Sequence, residues 1–106
     1  MGKLPDIKIL LTVVGCPGAS TSIKQLKSIT ERNISIVGTD MKDNVIGKFL
    51  CDSFYVVPAA SSEDFIPSII EIVEKEKPDL IFPASSYDVG IFSENRKIFE
   101  EMGVLV

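Results

Sequence analysis

Residues 7–40 read IKILLTVVGCPGASTSIKQLKSITERNISIVGTD, and this stretch decides the fold. Its opening run, Ile7 to Val14, is rich in Leu and β-branched residues and nearly continuous in apolarity. Such a run suits a strand buried on both faces of a parallel sheet, because a half-wet antiparallel strand would alternate with polar residues. Gly15-Cys16-Pro17-Gly18 stops it. Ser20, Thr21 and Ser22 then offer N-cap hydroxyls, and Ile23, Leu26 and Ile29 recur at helical spacing with Lys24, Lys27 and Arg32 outward. The spacing predicts a helix of about three turns ending near Asn33, a residue suited to a left-handed C-cap. Ile34 to Thr39 is a second strand, closed by Asp40.

The same alternation continues outward. A short helical piece around Asn44 to Leu50, weakened by Gly47, precedes a third strand from Phe54 to Val57 that Pro58 ends. Phe65, Ile66, Ile69, Ile70, Ile72 and Val73 then form the apolar side of an amphipathic helix whose wet side carries Glu71, Glu74, Lys75 and Lys77. Asp64 is the better N-cap than Ser61, since a start at Ser61 would carry Pro67 beyond the first turn. Pro78 ends this helix, Leu80 to Phe82 is a fourth strand, and Pro83 to Ser86 is a loop. One final helical stretch holds Ile91, Ile98, Phe99 and Met102, with Gly103 as its stop, and Val104-Leu105-Val106 begins a fifth strand. Strand and helix alternating in this way give an α/β, doubly wound, Rossmann-like parallel sheet with helices on both faces and expected order 3-2-1-4-5.

Composition agrees with a single domain spanning residues 1–106. The chain has 11 Lys+Arg against 15 Asp+Glu and a formal charge of −4. No basic stripe is available to neutralise a phosphate backbone, so nucleic acid is a poor partner. With no histidine and only Cys16 and Cys51, the sequence builds neither a Cys/His zinc site nor a histidine-based triad, and no metal ligand set is expected. The apolar run after Lys8 is too short for a signal peptide, and none approaches the length of a membrane span. Cytoplasm, reduced thiols and no membrane partner are therefore expected. The chain stops in strand-forming residues, which suggests a fragment or a split part of a longer protein.

Ligands of doubly wound sheets bind beyond the carboxyl ends of the strands. The loops placed there carry Gly15 to Ser20, Asp40, and Pro83 to Asp88. Gly15 and Gly18 allow close backbone approach, and a helix starting near Ser20 would turn its amide end toward the same crevice, so an anion fits; the same glycines would also serve a tight turn alone. Asp40 lies 22 residues after Gly18, close to the spacing of a ribose-binding acid, but Pro17 stands where a dinucleotide fingerprint needs glycine. Asp40 would equally cap the turn that follows it. No glycine of this loop precedes a Lys-Ser or Lys-Thr pair, which excludes a P-loop.

Three segments carry a family resemblance: Ile9 to Gly18, Ile36-Val37-Gly38-Thr39-Asp40-Met41, and Cys51-Asp52-Ser53-Phe54-Tyr55-Val56-Val57-Pro58. With Pro83 to Asp88 and Glu94-Asn95-Arg96, they resemble the N-terminal, pre-ATP-grasp domain of ATP-grasp ligases of the carbamoyl phosphate synthase large-subunit-like and pyrrolysine-biosynthesis-ligase-like kinds. The resemblance implies a parent ligase that activates a carboxylate with ATP and magnesium and passes it to an amine. It places both cofactors on later domains, so that this chain holds no cofactor and is not catalytic alone. It implies a substrate-binding wall made of Gly15, Cys16, Pro17, Gly18 and Asp88, where relatives commonly carry glycine at the position of Cys16 and glutamate at that of Asp88. Asp40 and Ser85 are further candidate ligand contacts. The implied partners are the downstream ATP-grasp domains and a small amino-acid-like or carboxylate substrate. A weak homodimer through the open sheet edge is also expected. Two other readings remain open: a nucleotide- or dinucleotide-binding regulatory module, and an interaction domain.

Overall fold

A computed structural model describes residues 5–12, 19–29, 32–43, 46–83 and 86–106. Four strands, β1 (Ile7–Leu11), β2 (Ile34–Asp40), β3 (Ser53–Val56) and β4 (Leu80–Phe82), form one parallel sheet in the order β3-β2-β1-β4. The helices are α1 (Ala19–Lys27), α2 (Phe65–Glu76), α3 (Ser86–Glu94) and α4 (Arg96–Glu101), with a short 3₁₀ helix at Ile46–Leu50. This is the α/β, Rossmann-like architecture that the alternating segments predict.

The near-continuous apolarity of β1 has the expected cause. Leu10 turns to one face, where it joins Val37 and Ile81 against α2, α3 and α4 through Ile69, Phe92 and Phe99. Ile9 and Leu11 turn to the other, where they join Ile36 and meet Ile23 of α1. In α2 the buried residues Phe65, Ile69, Ile72 and Val73 make one helical stripe, so a single face supplies the packing. Phe92 is the centre of the first core, its ring 5.7 Å from that of Phe65 and 5.6 Å from that of Phe99.

Several boundaries differ from those read in the sequence. Helix α1 ends at Lys27 rather than near Asn33. Ser28 Oγ donates to the Gln25 carbonyl, a local bond that competes with continued helix. Asn33 instead ties the strands together: its carbonyl accepts from Ile7 N–H at 3.0 Å, and its Nδ2 donates to Asp6 at 3.2 Å. Asp64 is the N-cap position of α2 as expected, but its side chain makes no capping bond. Lys77 ends that helix in the left-handed conformation, at φ 50°. The last helical stretch is two helices, because Asn95 Nδ2 takes the Ile91 carbonyl at 2.9 Å and breaks the ladder. The fifth strand is reduced to one parallel bridge, Leu80 to Leu105, on the far side of β4 where order 3-2-1-4-5 puts it.

Opposite the ligand end of the sheet, a polar network locks three elements. Tyr55 on β3 donates its hydroxyl to Glu76 at the end of α2. Lys8 on β1 donates through Nζ to the same carboxylate at 3.2 Å and to the Glu76 carbonyl at 3.0 Å. The Tyr55 hydrogen bond, aided by Lys8 and opposed by burial, holds the Glu76 carboxyl below the usual glutamate range. The Glu76 hydrogen bond, helped by burial, pushes the Tyr55 hydroxyl up. A depressed acid stabilises the fold above its unfolded pKa and loses that contribution as pH falls through the folded value; a raised tyrosine stabilises below its unfolded pKa and loses it as pH rises. The network is therefore fully stabilising between about pH 4.3 and about pH 10, the unperturbed values of the two groups. Chemical denaturation across pH should show Glu76→Gln flattening the acid limb below about pH 4.3; an acid limb identical to wild type would refute this contribution.

Candidate functional site at the carboxyl ends of the strands

On the face that packs against α2, the apolar columns of β1 and β2 end in hydroxyls. Leu10 is followed two residues on by Thr12, and Val37 by Thr39, and alternation keeps each pair on one face. The register pairs Leu11 with Gly38, so Thr12 and Thr39 stand side by side one step further. Both are buried, at 1% exposure each. Above them lies a cavity of about 330 Å³, at the lower end of the range for small-ligand sites.

Each wall comes from a different element. Asp40 and Met41 follow from the end of β2, and Phe65 from the first turn of α2. The segment after β3 contributes Val57, Pro58 and Ala59. Asp88, in the first turn of α3, lines the cavity too. The described lining residues include two carboxylates and no lysine or arginine, and most of the rest are apolar. Such a lining favours a ligand with an apolar body that donates hydrogen bonds or carries positive charge. It disfavours an anionic group held within the cavity itself.

The structure brings Asp40 and Asp88 to one cavity. Asp88 is 6% exposed, so it is not a solvated surface acid of its helix. Asp40 does what the turn reading anticipates, its Oδ1 accepting from Lys42 N–H at 3.0 Å, and it lines the cavity as well. Gly15, Cys16, Pro17, Gly18 and Ser85 lie outside the described residues. Sequence reasoning missed Thr39 and Phe65 as lining residues. The signal for Thr39 was present in the two-residue alternation of β2, masked by a strand that is apolar on both faces.

Away from the cavity, the surroundings of Cys51 disfavour its thiolate. Burial, followed by the charge of Asp52, pushes its thiol up to about 11, against the opposing pull of Lys27. Burial also works against ionisation of Asp52, but the Lys27 ammonium and the Ile36 N–H, at 2.7 Å, outweigh it and hold that carboxyl below its ordinary value. Asp52 thus pins α1 and β2 to the start of β3, a structural role. Among the described residues no group of three or more His, Cys, Asp or Glu is placed to hold a metal ion. None of the helices among the described residues is long and apolar enough to cross a membrane.

A family model described as the PylC-like N-terminal domain matches residues 9–106. The chain belongs to this family. It is thus related to the pre-ATP-grasp domain of pyrrolysine-biosynthesis-ligase-like ATP-grasp proteins, as the three sequence segments imply. The matched span begins inside β1 and takes in every described residue that lines the cavity. A comparison with curated proteins finds no match.

Proposed function

We propose that this domain supplies the acceptor-substrate wall of a cytoplasmic ATP-grasp ligase and performs no chemistry alone. The observation that carries the reading is the buried Asp88 carboxylate on a largely apolar cavity, in a chain of this family. A carboxylate in such surroundings attracts an ammonium more strongly than it would in water, because less solvent screens the pair. Asp88 would orient an amino-acid-like acceptor by its amine, and the glycine-containing segment 15–18 would receive the carboxylate end of the same molecule. ATP and magnesium belong to the downstream ATP-grasp domains. The described residues offer neither a metal-binding cluster nor a basic side chain on the cavity, so no step of nucleotide chemistry is assigned to them.

Leu105, 61% exposed, and Phe82, 47% exposed, support a partner domain on the α1 side of the sheet. Leu80 faces that side, alternation puts Phe82 there too, and Leu105 is bridged to Leu80. In the absence of that domain the same surface would drive weak self-association.

The purified chain should show no magnesium-dependent ATP hydrolysis, alone or with amino acids present. Hydrolysis that persists through purification would overturn the reading. The regulatory-module alternative is favoured by one observation, the placement of Asp40 on the cavity at the end of β2. Calorimetry with NAD distinguishes it: binding no tighter than about millimolar is expected with Pro17 in the fingerprint, whereas micromolar binding abolished by Asp40→Ala would establish the module instead.

A further inference from the structure

The cavity contains a polar group that no described residue engages. Thr39 is 1% exposed, lines the cavity, and its Oγ1 has no hydrogen-bond partner among the described residues. Buried hydroxyls are ordinarily paired, and an unpaired one is costly enough that each case calls for a physical reason. A structural role is poorly served here, since valine would fill nearly the same shape at this strand position without burying a hydroxyl. The preceding residues of the same face, Val37 and Leu10, are apolar, while Thr12 stands beside Thr39 and lines the cavity with it, so the hydroxyls come where the hydrocarbon core gives way to the cavity.

We infer that Thr39 is a specificity-determining residue, whose hydroxyl selects ligands carrying a hydrogen-bonding oxygen or nitrogen on the part of their body that lies over the end of β2. This rests on the proposed function for the ligand's amine, held at Asp88, and adds a requirement at a second point. The ligand class is an amine with a polar substituent on an otherwise apolar chain, in preference to a plain alkylamine. The physical basis is asymmetric. A ligand with the matching group completes the bond to Thr39, whereas a hydrocarbon in the same place leaves the hydroxyl as unpaired as it is in the free domain. Phe65 and Val57 accept the apolar portion of either ligand equally, so they do not discriminate between the two.

The test uses straight-chain amino alcohols, with the hydroxyl moved along the chain, against alkylamines of the same length. Binding to the isotopically labelled chain is followed through the backbone amide resonances around the cavity. At least one amino alcohol should bind about tenfold more tightly than its alkylamine, the equivalent of one net hydrogen bond. In Thr39→Val that preference should vanish, with alkylamine affinity unchanged or improved. In Thr39→Ser it should return, while Asp88→Asn should weaken both ligand series together. A preference of the same size in wild type and Thr39→Val would overturn the assignment, as would equal affinity for every matched pair or absence of binding at the cavity. These outcomes are separable from failure of the ligase reading. That reading falls if the chain alone hydrolyses ATP, whatever the selectivity at Thr39.

Discussion

Phe92→Ala is expected to destabilise the domain by about 3–5 kcal/mol, the cost of removing a fully buried aromatic ring and leaving much of its volume empty. Domains of this size are stable by about 5–15 kcal/mol in all, so the substitution would remove a large share of the total. The position explains why the loss should lie high in the range. Phe92 is 0% exposed, meets Phe65 edge-on at 71° and lies against Phe99 at 47°, so one ring joins α2, α3 and α4. Alanine would forfeit both aromatic contacts besides the transfer of the ring from water. The remaining helices are short and belong to different segments, which limits their ability to close the void without disturbing the sheet contacts below. Urea denaturation should show the midpoint falling sharply, and heating should show a drop of about 15 °C or more. Val89→Ala on the same helix, at a site 47% exposed, should change stability by less than about 1 kcal/mol. A loss for Phe92→Ala as small as that for Val89→Ala would mean that α3 is not tied to the core in this way.

The sheet was legible because β1 and β2 carry hydrophobic residues toward both faces, and only a strand covered on both sides needs them. The helix boundaries were less legible, since they depend on competition that composition does not reveal. Ser28 and Asn95 each divert a carbonyl to a side-chain donor, and a periodic apolar stripe runs on past both without registering it. Val104-Leu105-Val106 has the composition of a strand, but β4 offers it only three residues and the pairing amounts to a single bridge. At the site, the position of Asp88 after β4 was legible through its family resemblance. Its burial was not, because burial depends on tertiary neighbours, and Phe65 and the segment after β3, which share its cavity, lie more than twenty positions away in sequence. Thr39 shows the converse case. Its face could be read by counting from Val37, but nothing in the string Ile36-Val37-Gly38-Thr39 shows that its hydroxyl would lack a partner.

In the ligase that contains this domain, Asp88→Asn should lower kcat/KM for the acceptor by about 10- to 100-fold, while formation of the acyl phosphate stays within about twofold of wild type. The first figure follows from losing a charged hydrogen bond, worth about 1.5–3 kcal/mol, at a buried site, at 1.4 kcal/mol for each factor of ten. The second follows from position. In the proposed function the charge of Asp88 serves the incoming amine, and the described lining of its cavity includes no lysine or arginine, so the first half-reaction is expected to be little affected. Asparagine is the informative replacement because it keeps the shape and one acceptor oxygen while losing the charge. Asp88→Glu restores the charge at a longer reach and should recover part of the loss. The two half-reactions are measured apart, the first as ADP release with hydroxylamine trapping the activated carboxylate and the second as acceptor turnover. Equal losses in both would show that Asp88 serves the fold, a result that melting curves of the variant would corroborate. Unchanged acceptor kinetics would show that the amine is held elsewhere and would remove the central support for the acceptor wall.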